Sequence, residues 1–160
     1  MNDPFKRKIK IVDNDNLRTE LITLINSQTD ELLLDFALKI TYITFDKIAL
    51  DYKENIYIQQ AVNSFSKWRK NDMKLSDLRK VIFNIHKLAK NELDYQKQVS
   101  LRVLGHALAT AHTINHLIVA TDYQIKLINI LSNNSYEEST QTRLLQIKIL
   151  EDLIKEKQKV

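Results

Sequence analysis

The segment LRVLGHALATAHTINHLIVATDY, from Leu101 to Tyr123, decides the fold class of this chain. Its residues are mostly small or apolar and almost none is charged, so a helix built from them has no polar face to offer to water. The segment also holds the only glycine, Gly105, and three of the four histidines. We therefore expect it to lie at the centre of the fold, where its imidazoles need partners.

The composition of the whole chain favours helices. It has 160 residues, 44% of them hydrophobic, with one glycine and one proline. Folds rich in β-strands need many glycine and proline turns, which are missing here. The length fits one domain. We predict an all-α, single-domain bundle of about six to seven helices around a central apolar, histidine-containing helix pair, with residues 1–13 as a basic N-terminal tail and residues 14–160 as the helical domain.

Three features predict where helices begin and end from the fourth helix onward. One helix from Tyr95 to Leu131 would be about 55 Å long, too long for a compact domain of this size, so we expect a break near residues 112–115. The final helix should begin at Ser135, which forms a capping box with Glu138. Ser76 is the predicted cap of the fourth helix.

Several classes of function have no support in the sequence. The absence of cysteine excludes disulfides, thiolate metal sites and cysteine nucleophiles. A single glycine leaves no phosphate-binding loop, dinucleotide fingerprint or nucleophile elbow. We therefore predict no enzyme activity and no cofactor.

The expected location is the cytoplasm. No uncharged apolar run reaches the length of about 18 residues that a membrane helix needs, and the basic N-terminus has no apolar signal core behind it. The net charge of +4 is modest, and the basic clusters at residues 6–10 and 67–80 fit a solvated surface. Nucleic acid is therefore not an expected partner.

The histidines of the central segment fall on one side of a helical wheel. At about 100° per residue, an arc of roughly 120° contains eight residues: Arg102, Gly105, His106, Ala109, His112, Thr113, His116 and Ala120. The small residues in this arc permit close approach of another helix. The imidazoles would then lie at the contact between the two helices. A break near residue 113 would take the two halves of this arc out of alignment, but His112 and His116 would stay one turn apart.

Three interpretations of these histidines stay open. In the first they are structural and bond a backbone carbonyl or a buried carboxylate. In the second His112 and His116, spaced i, i+4, bind a metal; the sequence HTINH lacks the glutamate of a peptidase motif, and a third ligand would have to be His86, His106 or Asp122. In the third they line a recognition pocket for a partner or small molecule, with arginine and histidine as donors.

Trp68 and Arg69, at the end of the third predicted helix, admit two interpretations. They could form an exposed contact pair. Because indole buries a large apolar area, we favour a tryptophan that closes the core.

The segment RVLGHALATAHTINHLIVATDYQIKLI, from Arg102 to Ile128, resembles the Imm-five-like family of immunity proteins from bacterial polymorphic toxin systems. That family has an arginine, a Gly-His or Gly-Gln step, an alanine-rich turn, His-x-x-x-His and a run of small residues ending in tyrosine. The upstream stretch AVNSFSKWRKND…LRKVIFNIHKLAK is also similar. The resemblance covers residues 30–132, and it departs at Ile118 and Val119, where the family often has glycine. The matching positions include Gly105, Ala107, Ala109, Thr110, Ala111, Ala120, Tyr123 and Arg79.

The resemblance implies an all-helical cytoplasmic protein that binds and neutralises a cognate toxin by stoichiometric protein–protein contact. The candidate recognition residues are Arg102, His106, His112, His116, His86, Trp68 and Arg69. Since the chain is basic, electrostatic complementarity favours a neutral or acidic target, or a local acidic patch on this chain. The partner is the toxin, and a homo-oligomer is also open. The alternative function is a small metal- or ligand-binding protein that uses His86, His106, His112 and His116.

Overall fold

The computed structural model describes residues 3–159, which form seven α-helices and no β-strand. In chain order the helices are α1 (Asp15–Asn26), α2 (Asp30–Lys47), α3 (Ile56–Arg69), α4 (Leu75–Asn91), α5 (Tyr95–Ala109), α6 (Asn115–Leu131) and α7 (Tyr136–Gln158). The predicted all-α class and helix number are confirmed. Across residues 3–159, no helix combines the length and the apolar character that crossing a bilayer requires.

Helices α2 and α5 lie at the centre because each contributes to both apolar cores. One core joins α2 and α5 to α1, α6 and α7, and contains the fully buried Phe36 and Leu150. The other joins them to α3 and α4 around Phe65, Leu78 and Leu104. The predicted histidine-containing pair corresponds to α5 and α6, which pack against each other. Of these two helices, α5 contributes to both cores and α6 to the first core only.

The predicted break in the central segment is confirmed as the five-residue connection 110–114. The predicted start of the last helix is also confirmed, since the Ser135 hydroxyl accepts the Glu138 N–H at 3.2 Å. The predicted capping box is only half formed, because the Ser135 N–H donates to the Ser132 hydroxyl at 3.2 Å and not to Glu138. The predicted cap at Ser76 is wrong. Helix α4 begins at Leu75, and its N-cap position is taken by Lys74, whose side chain makes no capping bond. Ser76 is instead exposed in the first helical turn.

The segment before α1 is docked on the helices. Phe5 packs against the first core. The Asn129 side chain bonds both backbone groups of Val12, accepting from N–H at 2.7 Å and donating to C=O at 3.0 Å. Met1 and Asn2 of the predicted tail, like Val160, lie outside the described residues. We propose that residues 3–13 form one domain with the helices.

A buried ion-pair network fixes α6 to its neighbours. Asp122, 1% exposed, accepts two bonds from Arg18 of α1 at 2.9 Å and one from Arg143 of α7 at 2.6 Å. Arg143 is fully buried and also pairs with Asp13. Burial by itself would raise the pKa of Asp13, but hydrogen bonds and charge from Arg143 and Arg7 lower that pKa below its usual value.

Substitution of Asp122 by asparagine tests this network. Asp122→Asn keeps the shape but leaves two buried guanidinium groups short of one negative charge. We expect the free energy of unfolding to fall by about 3–5 kcal/mol, measured by urea denaturation.

The matched control is Asp152→Asn, which removes the exposed i, i+4 pair of Asp152 with Lys148. Exposed pairs of this kind contribute less than about 1 kcal/mol. Equal losses in the two variants would contradict the assigned role of Asp122.

Candidate functional site

Three imidazoles from three consecutive helices meet at one place. These residues, His86 of α4, His106 of α5 and His116 of α6, are called the histidine cluster below. The Nδ1 atoms of His106 and His116 are 3.2 Å apart. The ring centroids of His86 and His106 are 4.7 Å apart, in an edge-on arrangement. All three rings are partly buried.

Gly105 permits this meeting. A Cβ atom placed on Gly105 would lie only 2.6–3.0 Å from three atoms of the His86 ring. Since heavy atoms of side chains do not approach so closely, only glycine leaves room for the imidazole of α4 against the backbone of α5. The small-residue surface predicted from the helical wheel therefore receives an imidazole at this point.

Arg102 completes the cluster. Its Nη1 lies 2.8 Å from Nδ1 of His86. Because guanidinium only donates hydrogen bonds, Nδ1 of His86 must be the acceptor and carry no proton. His106 and His116 similarly share one hydrogen between their facing Nδ1 atoms. Each pair is thus satisfied without a charged imidazole.

Burial and like charge lower the pKa values of the cluster. Desolvation is the main cause for all three rings, and it is reinforced by Arg102 and by the neighbouring histidines. The pKa of His86 falls to about 4 and that of His106 to about 3. The pKa of His116 is lowered too, by desolvation and then by His112. The rings are neutral at pH 7, so Arg102 carries the charge of this site.

The observed partners differ from those expected of structural histidines. Among residues 3–159, the side-chain bonds of the cluster go to arginine and imidazole, and not to the backbone carbonyl or buried carboxylate of that interpretation. No set of three histidine, aspartate or glutamate side chains in the same part of the chain is arranged to share a metal ion. The metal interpretation therefore finds no third ligand there. The bond between Arg102 and the His86 imidazole is compatible with the recognition interpretation.

Asp122 is not available as a metal ligand. Its carboxylate is taken up by Arg18 and Arg143. This third-ligand candidate is therefore wrong, because the residue turns away from the histidines into the ion-pair network.

A pocket of about 350 Å³ adjoins the histidine cluster and is called the Arg102 pocket below. Its lining includes Lys10 from the segment before α1, Tyr95 and Arg102 from α5, and Tyr123 and Lys126 from α6. The Tyr123 ring is stacked on the His106 ring, with centroids 5.3 Å apart. Arg102 and Tyr123 thus connect this pocket to the imidazoles.

The other candidate residues lie elsewhere. His112 is exposed in the connection before α6, with its ring 6.0 Å from that of His116. Together with Trp68 it lines a separate pocket of about 170 Å³. Trp68 packs against the second core, as the favoured interpretation predicted. Arg69 is held by Glu31 and Asp35 of α2.

A groove of about 680 Å³ runs between α3 and α4 and is called the α3–α4 groove below. Its apolar floor includes the buried Ala61 and Ile85. Tyr57, 59% exposed, and the side chains of Lys67 and Lys87 border it. Asparagine, glutamine and serine complete the lining, with no carboxylate. Such a surface offers apolar area together with many hydrogen-bond groups.

Sequence reasoning missed Lys10, Tyr95, Lys126 and the α3–α4 groove. Helical spacing carried part of the missing signal. Tyr95 lies seven residues, or about two helical turns, before Arg102, so it shares a helix face with this candidate residue. Lys126 lies ten residues after His116, about 80° away around the helix, so spacing gave no signal for it. Nothing in the local sequence placed Lys10 beside them.

A double-mutant cycle tests the contact of His86 with Gly105. Gly105→Ala alone should destabilise the protein, because the new methyl group displaces His86 from Arg102. In a His86→Ala background the same change should stabilise by about 0.5–1 kcal/mol, the normal gain of alanine over glycine within a helix. Urea denaturation of the four proteins gives the coupling. A stabilising Gly105→Ala in the wild-type background would contradict the close approach.

The lowered pKa values predict a pH dependence of stability. An unfolded histidine has a pKa near 6.5, so the unfolded state takes up protons before the folded state does. The free energy of unfolding should be unaffected by these rings above about pH 6.5 and should fall as the pH drops towards 4. His106→Gln removes one such ring. Between pH 6.5 and 4.5, the free energy of unfolding of this variant should therefore fall by about 1–2 kcal/mol less than that of the wild type.

Thermal melts across this range measure the difference. His112→Gln, exposed and outside the cluster, is the matched control. It should keep most of the wild-type fall in stability, because it removes only the smaller contribution to the lowered pKa of His116 and leaves the rings of the cluster in place. The lowest pH of this range lies above the pH at which carboxylates with a lowered pKa, such as Asp13, take up protons and stop stabilising the fold. Identical pH profiles for His106→Gln and the wild type would contradict the neutral cluster.

Comparison with known proteins places the chain in a family. A family model described as "Imm-5 like putative immunity protein" matches residues 23–153, which include all of α2 to α6. The match extends beyond the resemblance seen at residues 30–132. No curated protein and no solved structure matches the chain. Because the family model covers most of its length, the chain belongs to the family of Imm-5 like immunity proteins.

Proposed function

We propose that this protein binds a bacterial toxin and neutralises it by stoichiometric contact in the cytoplasm. The observation that carries the proposal is the family match over residues 23–153. An immunity protein works by covering a surface of its target, so the role is binding and not catalysis. A specific complex of this kind buries about 800 Å² on each partner.

The α3–α4 groove is the surface that best fits such a partner. It is concave, its floor is apolar and its walls carry amide side chains that can bond a backbone. Tyr57, which lines the groove, is 59% exposed. Two more large apolar side chains on the same two helices, outside the groove lining, are well exposed: Ile56 of α3 at 63% and Phe83 of α4 at 69%. Aromatic residues are enriched in the buried centres of protein interfaces. A partner that covers them removes apolar area from water.

The charge of the groove favours an acidic segment of the toxin. Lys67 and Lys87 line it, and the lining contains no aspartate or glutamate. Opposite charges across an interface raise the association rate and help to select the partner. The expectation of a neutral or acidic target is thereby narrowed to an acidic one.

The sequence-predicted recognition residues take different parts in this proposal. Arg102 acts directly as a recognition group and is bonded by His86, and His106 and His116 support His86 through the ring contacts of the cluster. Trp68, His112 and Arg69 lie near one end of α3 and would contact a toxin that extends beyond the groove. A homo-oligomer stays a prediction, and the mass of the purified protein in solution decides it.

Co-expression with the products of neighbouring open reading frames tests the function. One product should be toxic by itself and be rescued by this chain, and the pair should form a complex of defined stoichiometry. Tyr57→Glu should weaken that complex by about tenfold or more, because it removes an interface aromatic and adds a repelling charge. Titration calorimetry measures the dissociation constant.

Tyr136→Glu is the matched control. Tyr136 is 56% exposed and, like Tyr57, lies in the first turn of a helix, where a glutamate is compatible with the helix dipole. It belongs to α7, which packs against α1, α2 and α6. Equal affinity of the two variants would place the interface elsewhere. If no neighbouring product is toxic and rescued, the proposed function fails.

A further inference from the structure

We propose that the Arg102 pocket binds a small free oxyanion, a carboxylate or a phosphate, with Arg102 as its principal ligand. The proposal concerns the chain by itself and does not depend on the toxin-binding function. It rests on the charges that line the pocket, on the unusual pairing of Arg102 and on the donors that face the cavity.

The lining of the pocket is strongly positive. Lys10, Arg102 and Lys126 contribute three cations, and no aspartate or glutamate lines it. Nζ of Lys126 donates to the backbone carbonyl of Lys10 at 3.3 Å, which keeps this ammonium at the pocket edge. Three positive charges around one concave space favour a negatively charged occupant, since low-dielectric walls concentrate the field inside a cleft.

Arg102 differs from the other arginines that are removed from solvent. Arg7, Arg18, Arg69 and Arg143 each pair with at least one carboxylate. Arg102 pairs with neutral His86, and no carboxylate within residues 3–159 lies within 4.0 Å of it. A partly buried guanidinium normally has a counter-charge. An anion bound in the pocket would supply the counter-charge that the fold does not give to Arg102.

Arg102 lines the pocket and keeps donors for such a ligand. His86 engages only Nη1, so Nη2 and Nε keep their N–H groups. The fork geometry of guanidinium suits two oxygens of a carboxylate or phosphate. Because the imidazole fixes one arm, little side-chain entropy is lost when the anion binds.

The tyrosines add neutral donors. Tyr95 and Tyr123 both line the pocket. Burial raises the pKa of Tyr123, with a further contribution from Tyr95 and an opposing one from Arg102. Its hydroxyl therefore stays protonated and can donate a hydrogen bond to an anion. The volume of about 350 Å³ lies within the range of small-molecule sites.

Titration of the purified chain with inorganic phosphate, and separately with succinate, tests the proposal. Calorimetry gives the affinity, and amide chemical shifts locate the site, all at constant ionic strength set with sodium chloride. At least one probe should bind saturably and shift amides of α5 and α6 around Arg102. Which of the two binds more tightly distinguishes a phosphate site from a carboxylate site.

The variants assign the binding to the pocket. Arg102→Gln should weaken binding by about tenfold or more, and Lys126→Gln by about three- to fivefold, since charged hydrogen bonds contribute most to such sites. Arg79→Gln is the matched control and should bind within about twofold of wild type, because Arg79 is exposed on α4 and lies outside the pocket. If Arg102→Gln does not fold, Lys126→Gln decides.

Three results would overturn the proposal. The first is the absence of saturable binding of either probe up to about 50 mM, which is weaker than useful recognition. The second is unchanged affinity in Arg102→Gln and Lys126→Gln. The third is that sodium chloride, titrated by itself, produces the same heat and the same amide shifts as the probes, which would mean that the anions only screen charge and occupy no site. None of these results bears on rescue from a toxin, so the two proposals fail separately.

Discussion

The buried carboxylate of Asp122 is the constraint on which the arrangement of the other parts depends. It joins α6 to Arg18 of α1 and to Arg143 of α7, and through Arg143 to Asp13 of the segment before α1. Once Asp122 faces this network, the next residue, Tyr123, points about 100° away, against His106 of α5. The ion pairs therefore set which face of α6 meets α5. They also hold the N-terminal segment where Lys10 reaches the pocket.

The fold contains two polar interiors with different charge balances. In the first, Arg18 and Arg143 are matched by Asp13 and Asp122, so the buried charges cancel. In the second, Arg102 is surrounded by imidazoles that burial keeps neutral. Desolvation acts on both, but only the first has its own counter-charges. A balanced network stabilises the fold, whereas an unbalanced cation beside an open pocket is available to bind something from outside.

The neighbour of Gly105 could not be predicted from the sequence. The helical wheel predicted only that this glycine permits close contact with another helix. The structure adds that the contact is an imidazole of α4, not a backbone. In α4, His86 lies beside the buried stripe of Leu78, Ile82, Ile85 and Ala89. Neither its spacing nor its sequence neighbours could predict that its ring contacts α5. The close contact and the Arg102 bond exist only because α4 packs against α5.

The sequence by itself determined the helices, the break in the central segment and the face of α5 that carries Arg102 and His106, because these follow from local periodicity and from the scarcity of turn residues. It also carried the family signature. Tertiary structure decided which faces meet: that His112 stays outside the cluster, that Asp122 serves the ion pairs, and that Lys10 and Lys126 border one pocket. The physical reason is that long-range contacts depend on how whole helix surfaces fit and how buried charges are matched, and neither quantity is a property of any short stretch of sequence.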